Sequence, residues 1–123
     1  MAQHNILGQW GEKVARDFLV AQGYAIFEHD KQMLHTDLDI IAFKGDEVAF
    51  VEVKTRREDD TDPAEVVDNR KRARMARAAD QFIRAYNLLQ EPRFDIIIVN
   101  GSPETSHTVT HYPDAFLPPL SSR

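Results

Sequence analysis

Apolar residues first recur at a four-residue interval, at Ile6, Trp10, Val14 and Phe18. This spacing predicts an amphipathic helix from about Asn5 to Gln22, closed by Gly23. A second face of the same helix carries Gly8, Glu12, Ala15 and Leu19. Gly8 and Gly11 each cost a helix roughly 1 kcal/mol against alanine. Close approach to another element would justify both, and would carry Glu12 towards that element. The period then shortens. Tyr24 to Glu28 reads as a short strand, and the polar, aperiodic stretch from His29 to Thr36 as a loop. Asp37–Phe43 and Val48–Lys54 are β-rich runs on either side of Gly45-Asp46, a hairpin signal. Thr55 to Asp62 is charged and lacks apolar pattern, so it reads as an exposed loop, and Pro63 to Val67 is ambiguous. Asp68 is placed to cap a second helix running to Leu89. Its core stripe is Met75, Ala78, Ala79, Phe82, Ile83, Tyr86 and Leu89. Phe94 to Val99 is a continuous apolar run, as in a fully buried strand. Asn100-Gly101-Ser102-Pro103 is a turn, Thr108–Tyr112 a returning edge strand, and Leu117–Arg123, with Pro118-Pro119, a loose tail. The order α-β-β-β-α-β-β specifies an α/β class with a mixed sheet flanked by helices. One domain is expected over residues 1–116, followed by the tail at 117–123.

The hairpin carries the chemistry. A two-residue loop at Gly45-Asp46 pairs Lys44 with Glu47. Counting back along both strands pairs Asp39 with Glu52 and Asp37 with Lys54. Directly opposed residues share a face with Cβ atoms roughly 5 Å apart, and like charges there destabilise a sheet. Two acids so placed call for a neutralising partner, and a divalent cation such as Mg²⁺ or Mn²⁺ fits. Hard cations take oxygen ligands and are commonly held by one or two carboxylates together with water and phosphate. The backbone carbonyl of Val53 is a further candidate ligand. Lys54 falls on the same face as Glu52, where an ammonium could orient a water or stabilise charge on a phosphorane. Glu12 would add a third carboxylate if its helix face meets the sheet.

Composition narrows the setting. The 123 residues suffice for one domain with a sizeable core. Without cysteine, disulfides and thiolate metal sites are excluded. The start of the chain lacks the features of a signal peptide, and no apolar run approaches the roughly 20 residues of a membrane span. The expectation is a cytoplasmic protein with no membrane partner. The net charge of −5 argues against a general nucleic-acid coat. Basic residues nevertheless gather at Lys54, Arg56 and Arg57, and again from Arg70 to Arg77, which would let one face engage phosphates. The five histidines show no metal-ligand spacing. Trp10 reads as core, and Asp95 as a cap or a partner of Arg93 without a functional role.

With Asp39 as first acid and Glu52-Val53-Lys54 as an E-x-K triplet, the hairpin resembles the core of the PD-(D/E)XK nuclease superfamily. The chain as a whole is similar to the small bacterial UPF0102 (YraN-like) family, which is distantly related to archaeal Holliday-junction resolvases. The matching stretches are Leu7-Gly8, Gly11-Glu12, Leu38–Ala42, Phe50–Arg56, Lys71 with the alanine-rich helix after it, and Arg93-Phe94-Asp95. One departure stands at Thr36-Asp37, where the family usually has Gly-Glu. The resemblance implies a restriction-endonuclease-like core. It also implies metal-dependent hydrolysis of DNA phosphodiesters, with branched or nicked DNA as substrate. Glu12, Asp39, Glu52 and Lys54 would be catalytic, with Asp39, Glu52 and Val53 on the metal. Arg56 and Lys71 would contact backbone phosphates. A homodimer would suit the two-fold symmetry of such substrates. Other readings stay open: a salt-bridge network of Asp39 and Glu52 with Lys54 and Arg56, a nucleic-acid-binding protein that keeps the fold without catalysis, or a protein-docking role for the acidic loop Glu58–Asp62.

Overall fold

A sheet whose two faces are each covered by a helix follows from the alternation of the longest strands. The computed structural model describes residues 2–27, 37–57 and 62–118. Helix α1 spans Ala2–Ala21, followed by β1 (Ala25–Ile26), β2 (Ile40–Lys44) and β3 (Glu47–Arg56). A short α2 (Pro63–Val66) and the longer α3 (Asn69–Tyr86) lead to β4 (Glu91–Gly101) and β5 (His107–Tyr112). The sheet order is β1-β2-β3-β4-β5, with β3 and β4 parallel and every other pair antiparallel. Parallel neighbours need a long crossover, and α2 with α3 provides it. The protein is thus α/β, an open mixed sheet flanked by helices in the expected α-β-β-β-α-β-β order, with α2 resolving the ambiguous Pro63–Val67 segment. The expected loop at His29–Thr36, most of the acidic Glu58–Asp62 loop and the end of the tail lie outside the described residues.

On β3, Val48 and Phe50 pack with Met75, Ala78, Ala79 and Phe82 of α3, whereas Ala49 and Val51 pack with Ala15 and Leu19 of α1. Period-two alternation on the strand thereby divides one sheet into two cores. Helix α1 ends as its sequence requires: Gly23 takes φ +97°, and the Tyr24 N–H donates to Leu19 O at 3.0 Å, a Schellman closure that glycine favours. Asp68 caps α3 by accepting from the Lys71 N–H at 2.8 Å. No helix among the described residues is long and apolar enough to cross a membrane.

Several local expectations are corrected. The buried line of α1 is Gly11, Ala15 and Leu19, flanked by half-buried Trp10, Val14 and Phe18; Ile6 is 61% exposed. Close approach explains Gly11, where an added Cβ would lie 1.8 Å from Thr55 Oγ1, but not Gly8, which has nothing within 4 Å. Thr55 and Arg56 extend β3 because they continue the parallel ladder against Val99 and Asn100. For the same reason the expected turn at Asn100-Gly101 begins only at Ser102. Helix α3 stops at Tyr86 because Asn87 adopts the left-handed conformation, φ 55°, leaving Leu89 95% exposed. Near the end of the described residues, Phe116 is buried and stacks on Phe94, next to an exposed Leu117.

Candidate functional site

The β2–β3 ladder has the register counted from the Gly45-Asp46 turn, from Lys44↔Glu47 to Ile40↔Val51. Asp39 stands one residue outside it, and its side chain continues the pairing: Oδ2 accepts the Val53 N–H at 2.8 Å. In a strand, the N–H and C=O of one residue point the same way, so the Val53 carbonyl also faces the Asp39 side. Asp39 and Glu52 remain side-chain neighbours, close enough for each carboxylate to act on the other. The expected Asp37–Lys54 pair does not form. Once Asp39 captures the Val53 N–H the regular ladder is over, and Asp37 ion-pairs instead with Arg74 of α3 at 3.4 Å.

Burial makes the pair electrostatically costly. It is the largest cause raising Glu52 to about pKa 8, reinforced by the Asp39 carboxylate and opposed by Lys71. Asp39 is raised as well, chiefly by burial and partly by the charge of Glu12, while the Val53 N–H works against the rise. Half-buried on α1, Glu12 is therefore close enough to act on Asp39, as expected from a helix drawn onto the sheet at Gly11. The cation paired with Glu52 comes from α3: Lys71 Nζ lies 3.4 Å from Glu52 Oε1, with side chains 20% and 13% exposed. Lys54 is half-buried on the Glu52 face of β3, and Arg56 is exposed at the strand's end.

Two properties of this arrangement suit a hard divalent cation. Glu52 Oε1 is buried and accepts no hydrogen bond, an expensive state for a carboxylate oxygen. The donor set is also all oxygen: two neighbouring carboxylates and the carbonyl of Val53. Among the described residues no three acidic or histidine side chains converge as a ligand set. A cation here would rely on the two acids, the carbonyl and water, as Mg²⁺ commonly does.

Lys71 belongs to the acid cluster and is not confined to the periphery. The clue in sequence is a basic first turn on α3, which opposes the helix dipole unless acids face it. Lys71 with Glu52, and Arg74 with Asp37, supply those pairings. Asp95 also has more partners than its sequence suggests. Fully buried, it accepts from Arg93 Nε and Nη2 at 2.9 and 2.8 Å, from the Asp114 N–H at 2.9 Å, and pairs with His111 Nε2 at 2.8 Å. Burial tends to raise its pKa, but the hydrogen bonds from His111, Arg93 and Asp114 outweigh that and hold it below the usual value. Arg93 extends the network to the Tyr24 hydroxyl and to Glu47.

Comparison with known sequences gives one consistent match. A family model described as "Uncharacterised protein family UPF0102" matches residues 11–99, a span that includes Glu12, Asp39, Glu52, Lys54, Arg56 and Lys71. A UPF0102 protein of Parabacteroides distasonis is 42% identical over 120 residues, 97% of this chain and 98% of its own. Another, from Bacteroides fragilis, is 41% identical over 123 residues, 98% of this chain and 99% of its own. A UPF0102 protein of Caldanaerobacter subterraneus subsp. tengcongensis is 38% identical over 114 residues, 89% and 93% of the two chains.

Proposed function

The chain belongs to the uncharacterised protein family UPF0102, and from the acid pair beside β3 we propose that it is a metal-dependent endonuclease hydrolysing DNA phosphodiesters, with branched or nicked DNA as its substrate class. The observation that carries this reading is the pairing of two half-buried carboxylates, Asp39 and Glu52, with Glu52 Oε1 buried and without a hydrogen-bond partner. Asp39, Glu52 and the Val53 carbonyl would hold Mg²⁺ or Mn²⁺. When bound, such an ion polarises a phosphoryl oxygen and lowers the pKa of its water.

The surrounding residues have separate tasks. Asp39 keeps its acceptor geometry through the Val53 N–H. Lys54, on the Glu52 face, orients the attacking water and offsets charge growing on the phosphorane. Glu12 brings a third acid to the rim. Arg56 and the basic first turns of α3 hold the DNA backbone, and Lys71 joins them as a phosphate contact. A two-fold junction would be served by a homodimer, and the absence of cysteine suits the cytoplasm.

The test is a cleavage panel of single-stranded, duplex, nicked, flap and four-way DNA with Mg²⁺ and with Mn²⁺. Cleavage is expected on at least one substrate, and to disappear in Asp39→Ala and Lys54→Ala. A panel left intact with both metals would remove the catalytic assignment. The Lys71–Glu52 ion pair favours a second reading, a non-catalytic nucleic-acid binder whose acids are neutralised from within. That reading expects DNA binding that weakens steeply with salt and no turnover for Lys54→Ala to remove.

A further inference from the structure

The acid pair already has a cation. Lys71 Nζ stands 3.4 Å from Glu52 Oε1, yet Oε1 takes part in no hydrogen bond. At 3.4 Å the pair is longer than an ordinary N–H···O hydrogen bond, so charge dominates the contact. Lys71 is anchored by its backbone rather than its ammonium, because its N–H is committed to the Asp68 cap at 2.8 Å. Its four-carbon stem can swing while α3 stays in place, and an ammonium is a compact point charge on a flexible arm. The carboxylates it acts on come from two elements, Asp39 before β2 and Glu52 on β3, and Glu12 on α1 in turn acts on Asp39.

A divalent ion sharing Glu52 with this ammonium would be a second cation a few ångströms from the first. Like charges at that range repel strongly in a site shielded from water. We propose that Lys71 is the resident counter-ion of the metal centre: it neutralises the Asp39–Glu52 pair in the metal-free protein and leaves Glu52 when a divalent cation enters. This rests on the metal-site reading above and adds a sequence of events to it. Metal entry releases an ammonium on the first turn of α3, beside the exposed Arg70, where it becomes available to a backbone phosphate. Loading the metal thus prepares the phosphate contact.

The experiment measures Mn²⁺ affinity, without DNA, from the electron paramagnetic resonance signal of free Mn²⁺. It compares the full chain with Lys71→Met and Lys71→Arg at one pH. Lys71→Met is expected to bind Mn²⁺ about tenfold tighter or more, because the competing charge is gone. Lys71→Arg should bind no tighter than the unaltered chain. Folded Lys71→Met binding with equal or weaker affinity would overturn the proposal and leave the metal site standing. No Mn²⁺ binding by the unaltered chain would overturn both. Should Lys71→Met fail to fold, a Mg²⁺ titration of the unaltered chain followed by NMR decides. The Lys71 side-chain resonances are expected to move towards those of exposed lysines, and resonances that stay in place would refute displacement.

Discussion

Glu52 is the residue on which acid–base behaviour turns. Burial first, and the Asp39 carboxylate second, raise it from 4.5 to about 8 despite the opposing charge of Lys71. Across that window the folded chain binds its proton while the unfolded chain has released it. Stability therefore falls as pH rises. The contribution is fully present below pH 4.5 and is lost as pH passes about 8. Urea midpoints of the metal-free chain should decline across this range, and Glu52→Gln should flatten the decline. Equal slopes in the two proteins would mean that Glu52 is not a raised acid. On the proposed metal-site reading, a bound cation would act in the opposite sense. Carboxylate ligands bind a cation only after deprotonation, so Mn²⁺ affinity should rise with pH up to about 8 in calorimetric titrations, since Glu52 titrates there. An affinity independent of pH would argue that Glu52 is not a ligand.

Helix α1 shows how much of an element can be read from sequence and where the reading stops. Its two central glycines are equivalent in sequence and opposite in structure. An alanine Cβ at Gly11 would lie 1.8 Å from Thr55 Oγ1, whereas at Gly8 nothing comes within 4 Å. Gly11→Ala is expected to destabilise the chain by about 1–3 kcal/mol through overpacking and to push Glu12 away from Asp39, weakening Mn²⁺ binding. Gly8→Ala should stabilise by up to about 1 kcal/mol through helix propensity alone. Denaturant unfolding of the two variants checks the contrast, and similar effects of both would count against α1 packing on Thr55. Local chemistry made the helix ends legible: glycine after α1, and an aspartate that caps α3 through the Lys71 N–H. Which side faces inward was less legible. The four-residue stripe begins at Ile6, but the buried line runs through Gly11, Ala15 and Leu19. Small residues are favoured there by the closeness of the sheet, which hydrophobicity along the helix does not report. Leu89 fits the stripe of α3 but lies beyond the left-handed Asn87, so its period continued after the helix had ended.

The whole molecule separates what works from what holds. A tight turn fixes register over short range, so the Asp39–Glu52 neighbourhood could be counted from Gly45-Asp46. No such count reaches Asp95, whose partner His111 depends on the β4–β5 register, Ile97↔His111. Tyr24, also in that network, is nearly seventy positions from Arg93 along the chain, about one reason such long-range pairings escape local sequence rules. The two polar clusters also use different faces of the sheet. Glu52 meets α3 through Lys71. Asp95 opposes Val51, in a parallel ladder, and Val51 packs towards α1, where His111 lies against Phe18 and Tyr24. Breaking the second cluster should cost stability without touching metal chemistry. Asp95→Asn leaves Arg93 without its buried counter-charge, a loss of about 3–5 kcal/mol at neutral pH. Since Asp95 is held below its ordinary 3.8, its contribution is present above that pH and lost as pH falls through the lower folded value. The gap in urea midpoint between Asp95→Asn and the unaltered chain should accordingly close in acid. Ligand binding to the folded state stabilises by mass action, so on the proposed metal site Mn²⁺ should raise the Tm of Asp95→Asn and of the unaltered chain alike, while leaving Asp39→Ala unmoved. If Asp95→Asn also lost the Mn²⁺ response while remaining folded, the two faces would be coupled through β3, and the division between a metal centre on the α3 side and a structural network on the α1 side would have to be abandoned.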